Sequence, residues 1–369
     1  MIQVEPPDGS SARRVGPFSP DGDSLYWEAY AANKRGVTLD LETREGREAA
    51  LRLCAAADFL FESETPGVTA ARGLAYEDVR AANPQIVYTS ITPFGGDGPK
   101  ARYADSEIVL WAAGGPLAAH RDGDRPPLRI TVPQAYLHAA ADAAGGALLA
   151  HLARRRTGRG QHVDVAVNES VTQATLSRIL ATAVGDPQGS SLVGADREER
   201  LDQSGSGSGT EKTKWQVRDG WVAMHLAVGP AAGRFTNNLF AWLREQGACN
   251  ERLAAVDWRE VPDLVAAGEF SVDELERART VVADFLAGCT KREVLEASLR
   301  RKLLAAPVLT VADLAQSPQL EARDFWVEVG GRRLPGPFAQ VTADAFVFRR
   351  PAPRLGEHNA EVLGELVRT

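Results

Sequence analysis

Residues 44 to 62, REGREAALRLCAAADFLFE, set a helix directly against a strand. Ala49, Ala50, Leu53 and Ala57 recur at helical spacing through 44–57, and DFLFES at 58–63 then gives a short apolar run that reads as a strand. The alternation repeats. A helix over about 76–83 leads into PQIVYTSITPFG at 84–95, whose IVYTSI core is a second strand closing on a glycine-rich turn. Strands separated by helices pair in parallel, because a parallel neighbour needs a crossover connection, so the fold class predicted is α/β.

Further along, residues 137–156 form an alanine-rich helix, buried by its composition, with Gly145 and Gly146 suggesting close approach by another backbone. HVDVAV at 162–167 alternates as a strand, and NESVTQATLSRILATA resumes as helix. From about 186 glycine, serine and charge take over, culminating in DQSGSGSGTEKTK at 202–214, a mobile connection and a candidate boundary. Beyond it, WQVRDGWVAMHLA carries a hairpin signal at Asp219-Gly220, helices follow at 234–246 and 273–302, and the last 45 residues return to strand and loop. The domains expected are a large α/β domain from 1–200 and 321–369, and a small domain from 201–320.

Composition narrows the function classes. The 369 residues are 44% hydrophobic and 25% charged with a net charge of −7, which fits a globular protein with a sizeable core. Apart from RRR at 154–156 there is no dense basic run, so nucleic acid is not an expected partner. No apolar run reaches the ~20 residues of a membrane span, and MIQVEPPDGS lacks the form of a signal peptide. Cys54, Cys249 and Cys289 are too far apart in sequence for a C-x-x-C and are odd in number, which suggests neither a disulfide framework nor a zinc site. A cytoplasmic protein without metal is expected.

Five ordered segments carry a resemblance. NKRGVTLDLETREGREA (33–49), ADFLFESETPGV (57–68), NPQIVYTSITPFGGDGP (83–99), TGRGQHVDVAV (157–167) and PAPRLGEHNAEVL (351–363), with the stretch 291–329 as a small-domain exit, together resemble the class III CoA-transferases. That family, also called CaiB/BaiF, includes formyl-CoA transferase, carnitine CoA-transferase and the 2-methylacyl-CoA racemases. The small-domain sequence most resembles the subunits of two-subunit, benzylsuccinate-type enzymes. The resemblance implies a Rossmann-like large domain from both chain ends, an inserted small α+β domain, and two subunits interlinked like rings. It implies a coenzyme A thioester as substrate or ligand, with no permanently bound cofactor, and transfer of CoA between carboxylic acids through intermediates on an aspartate.

That chemistry requires a carboxylate. The side chain attacks a thioester to give a mixed anhydride, CoA attacks to give an enzyme thioester, and the acceptor acid reverses the sequence. The family's aspartate stands 21 residues before the threonine of TGRGQ and 21 after a glycine pair, here Thr157 and Gly114-Gly115; both counts land on Tyr136. A phenol, with an ordinary pKa near ~10, cannot be turned into a thioester, so Tyr136 is read as filling a disused pocket. Glu107 matches an acidic position near the family's active site and has two readings, a helix-start carboxylate or a functional group. Asp142 and its neighbour His138 read as a local helix pair. The racemase branch would need a histidine just after the glycine pair, and His120 comes about two residues late.

The resemblance also assigns a partial CoA channel: Leu39, Ser63 and Val68, with Phe94 and Gly95 in the ITPFG turn, while Lys34 and Arg35 could meet phosphates. Leu39 and Val68 would be core in any case, and the two cations are equally well read as solvated. SGSGSG at 204–209 sits near where formyl-CoA transferase has a glycine flap, or is a flexible connection. Relatives open with a further strand and helix, so the first β-α unit is expected to be missing, through a late start or a surrendered surface. Three functions stay open: a non-catalytic subunit paired with a homologous aspartate-bearing chain, a self-sufficient acyl-CoA enzyme using another residue, or a CoA-thioester-binding homodimer without turnover.

Overall fold

A computed structural model describes residues 1–119, 126–185, 213–343 and 347–365. The chain divides into two compact units, Met1–Val193 with Pro318–Thr369, and Gly194–Ser317.

The first unit is mixed α/β with parallel sheets, as the helix-strand alternation predicts. Strand β1 (Ile2–Glu5) lies parallel to β2 (Arg35–Thr38) with α1 (Leu25–Ala31) between them in the chain. Buried Glu5 accepts both Nε and Nη2 of Arg13 at 2.7 and 2.8 Å, so its charge is paired where water is excluded. Helix α2 (Arg44–Ala55), capped by Thr43, leads to β3 (Phe59–Glu62). The single turn α3 (Val68–Ala71) and α4 (Tyr76–Ala82) lead to β4 (Val87–Thr92). After α5 (Glu107–Ala113) and α6 (Pro116–Ala119), the 23-residue α7 (Ala135–Thr157) precedes β5 (Gln161–Ala166). The order β3-β4-β5 is parallel throughout, Phe59 opposite Val87 and Val87 opposite Gln161. Short helices α8 (Val167–Thr172) and α9 (Leu176–Ala183) follow.

Strand alternation sends Val87 to α7, where it meets Ala147 and Ala150, and Tyr88 to the other face with Cys54, Val79 and Ile86. Three expectations change here. The long helix begins at Ala135, so Tyr136 lies in its first turn instead of preceding it. It is buried along one side only: Ala135, Ala139, Ala143, Ala147 and Ala150 face the core, while Leu148, Leu149 and Leu152 are exposed. Among the described residues its glycines meet no other backbone; a Cβ on Gly146 would come within 2.9 Å of the Val163 side chain, and one on Gly145 would meet nothing.

In the second unit β6 (Lys214–Val217), β7 (Gly220–Met224) and β8 (Ala305–Val308) form an antiparallel sheet, with the expected hairpin ending on Gly220. Helix α10 (Gly233–Glu245) and two single-turn-scale helices, α11 (Glu251–Ala254) and α12 (Val261–Ala266), come next. The helix expected over 273–302 is two, α13 (Val272–Ala287) and α14 (Lys291–Arg301), because Thr290 and Glu293 form a capping box that starts a new one. The second unit ends with α15 (Val311–Ala315), and the first unit resumes with α16 (Pro318–Ala322), a hairpin of β9 (Trp326–Val329) and β10 (Arg332–Pro335), and α17 (Asn359–Glu365).

Candidate functional site

The polar groups around the start of α7 come from three segments. Pro133 and Gln134 bring the chain into the helix, and Gln134 offers no side-chain cap to the exposed amides of the first turn. Glu107 supplies it from α5: its Oε1 accepts from the amides of Gln134 and Ala135 at 2.5 and 3.0 Å and from Trp111 Nε1 at 2.8 Å. A carboxylate at a helix N-terminus also meets the positive end of the helix dipole. Glu107 thus caps the start of α7 and joins α5 to it.

Tyr136, one residue into the helix, directs its hydroxyl to Asp105, donating to Oδ2 at 2.8 Å. The side chain is half-exposed. Burial first, then the bond to Asp105 and the charges of Asp105 and Glu107, push the phenol above its ordinary range. Tyr136 is therefore a neutral hydrogen-bond donor at physiological pH. Asp105 is exposed in the loop before α5 and was not singled out from sequence; its only signal there was a position two residues before Glu107.

Behind these groups lies an apolar wall of Leu110, Trp111, Ala135, Ala139 and Val167, with half-buried Phe94 against it. Phe94 meets Tyr103 edge-on at 6.3 Å, and Gly95 turns the chain at φ +92°, a conformation that favours glycine. His138 is exposed and rests edge-on to Trp111 at 6.5 Å. Asp142 is exposed one turn further on, and among the contacts of the described residues none joins it to His138, so the local pair expected there does not form. His120 and the SGSGSG run lie outside the described residues.

The other channel candidates are dispersed. Lys34 precedes β2 with Nζ 3.5 Å from Gln3 Oε1, its ammonium pKa lowered by burial, and Arg35 binds Glu361 at 2.8 Å. Leu39, at the other end of β2, is core with Ala49, Ala50 and Leu74. Ser63 is exposed just past β3, and half-buried Val68 opens α3. Phe94 is thus grouped with the Tyr136 wall, and Leu39 with the α2 core. Among the described residues no cluster of His, Cys, Asp and Glu has the form of a metal site, and no helix is long and apolar enough to cross a membrane.

The family model described as CoA-transferase family III matches residues 1–359. The chain belongs to that family. This family III chain is 34% identical over 379 residues to the succinyl-CoA:(R)-benzylsuccinate CoA-transferase subunit BbsE of Thauera aromatica, an alignment spanning 99% of this chain and 87% of the relative. It is 29% identical to the succinyl-CoA–L-malate CoA-transferase beta subunit of Chloroflexus aurantiacus, over 100% of this chain and 87% of that one. Among solved structures, a CaiB/BaiF family protein from Brucella suis superposes with a TM-score of 0.79 at 26% identity, covering 99% of this chain and 91% of that one. The family III frame therefore extends along the whole chain and through both units.

Proposed function

We propose that this chain is the non-catalytic subunit of a heteromeric family III CoA-transferase, which moves CoA from a donor such as succinyl-CoA to an organic acid. The observation that carries the reading is the Tyr136 hydroxyl held by Asp105 at 2.8 Å, in the place where the family's counting puts an aspartate. Tyr136 cannot form the anhydride or the enzyme thioester. Glu107 Oε1 is committed to the helix start. The aspartate would come from a homologous partner: its carboxylate attacks the thioester carbonyl and expels CoA thiolate, which then attacks the aspartyl carbonyl and releases the first acid. The acceptor carboxylate displaces CoA by the same steps in reverse.

Two relatives bear names of subunits, which supports the heteromeric assignment. The CoA-lining assignment rests on Ser63, Val68, Phe94, Gly95 and Leu39, with Lys34 and Arg35 as candidate phosphate contacts. A large α/β domain over 1–200 and 321–369, with a small one over 201–320, completes the proposal, in a cytoplasmic, interlinked dimer.

The test is exchange of CoA between succinyl-CoA and a panel of free acids. The chain alone gives no exchange, and adding an aspartate-bearing homologue restores it, with Tyr136→Phe matching the wild type. A second reading has one observation in its favour: Asp105 is an exposed carboxylate at the Tyr136 hydroxyl. Exchange by the chain alone, abolished by Asp105→Asn, would replace the subunit reading with a self-sufficient enzyme. Stable acyl-CoA binding by a homodimer, with no exchange under either condition, would leave a binding protein.

A further inference from the structure

An aspartate followed by a glycine is a place where a protein chain can rearrange its own backbone. The glycine nitrogen attacks the aspartyl carboxyl group, and with no Cβ beside it that approach is open. Four such pairs lie among the described residues, Asp8-Gly9, Asp21-Gly22, Asp97-Gly98 and Asp219-Gly220, while Asp122-Gly123 falls outside them. The fold treats the four differently.

Three are restrained. The Gly9 N–H donates to the Pro6 carbonyl at 2.9 Å and the Gly22 N–H to the Ser19 carbonyl at 3.0 Å, so each nitrogen is fixed in a turn with its proton engaged. At Asp219 the carboxyl group is the part held: its Oδ1 accepts the Lys291 N–H at 2.7 Å and is anchored to the start of α14. Asp97-Gly98 has neither restraint. Among the described residues the Gly98 N–H meets no acceptor and the Asp97 carboxylate no donor. Both residues are exposed, glycine also precedes Asp97, and a Cβ on Gly98, at φ +89°, would meet nothing within 4 Å. The backbone there is free to turn and has room to move.

We infer that Asp97 is a site of spontaneous isomerisation to isoaspartate. The Gly98 nitrogen forms a bond to Asp97 Cγ, and the carboxyl OH leaves with the amide proton as water. A second water then opens the five-membered imide. Addition at Cγ restores aspartate; addition at the Asp97 main-chain carbonyl breaks the bond from that carbon to the Gly98 nitrogen, so that the chain runs on through Cβ and Cγ and the α-carboxylate becomes free. Nothing is oxidised or reduced, and the mass is unchanged. The change falls beside the Phe94 turn, which the Gly96 N–H ties to β5 by donating to Asp164 Oδ2 at 3.0 Å. Isoaspartate lengthens the main chain by one methylene immediately after that tie. This goes beyond the functional reading and stands or falls apart from it.

The test is ageing of the full chain at neutral pH, folded and in parallel in urea. Each sample is digested, and isoaspartate is measured in the peptide holding each pair, by electron-transfer fragmentation and by enzymatic methylation of the free α-carboxylate. In the folded chain position 97 accumulates isoaspartate well ahead of positions 8, 21 and 219. In urea the restraints are gone, and those three rise toward position 97. A folded chain in which position 97 matches or trails any of the three would overturn the proposal. So would the same lead for position 97 in urea, because neighbouring sequence and not the fold would then select the site.

Discussion

The second unit's core and the surroundings of Tyr136 are built on opposite principles. In the former, Trp215, Trp258 and Phe240 are almost wholly buried, and Phe240 and Trp258 stack at 4.9 Å. Around Tyr136 the buried face of α7 is alanine, its opposite side exposes leucines, and two carboxylates, Glu107 and Asp105, bind the start of the helix. Bulky aromatics hold a unit together by the volume they bury; small residues bury less and leave more of the joining to hydrogen bonds.

The sharpest contrast is in volume. Trp258→Ala leaves a large cavity in the second unit and costs about 3–5 kcal/mol, read by urea denaturation. A cost near zero would mean that this core is not what holds the unit. Next comes Glu107: Glu107→Ala leaves two helix-start amides and an indole N–H without their acceptor and costs about 2–3 kcal/mol, whereas Glu107→Gln, which keeps an acceptor oxygen, costs about 1. Equal losses in both would show that charge, and not hydrogen bonding, dominates.

Smaller still is Tyr136→Phe, about 0.5–1 kcal/mol for one half-exposed hydrogen bond. Its pH dependence has a definite sign. The folded phenol holds its proton more tightly than the unfolded one, so its contribution is complete below about pH 10 and is lost as pH rises above that value. Wild type and Tyr136→Phe should converge in alkaline melts and differ at neutral pH; a gap that widened with pH would contradict the burial and hydrogen bond seen here. The smallest effect is in the second unit, where Lys291, 2.6 Å away, does most to hold Asp313 down to about 2. That carboxyl contributes above about pH 4, and the contribution fades as pH falls toward 2, so Asp313→Asn flattens the acid limb of the melt slightly.

Periodicity and punctuation settled most of the local structure before any coordinates: β3 and β4 lie where DFLFES and IVYTSI place them, and the helix preceding each follows the expected spacing. Boundaries slipped where capping chemistry intervened. Thr290 with Glu293 split one expected helix, and Glu107, distant in sequence, let α7 start two residues early. The family was legible as well, because its segments are ordered along the chain. Asp105 was not legible, since nothing near it in sequence refers to Tyr136, 31 positions on.

The sequence by itself therefore determined the element types, the parallel connectivity and the family frame. These are properties of short-range pattern and of residue identity. Only the tertiary structure decided that Glu107 is a helix cap, that the Tyr136 hydroxyl is bound by Asp105, and that α7 hides alanine and shows leucine. Each of those depends on which distant segments meet, and a hydrogen bond or a buried face exists only once they do.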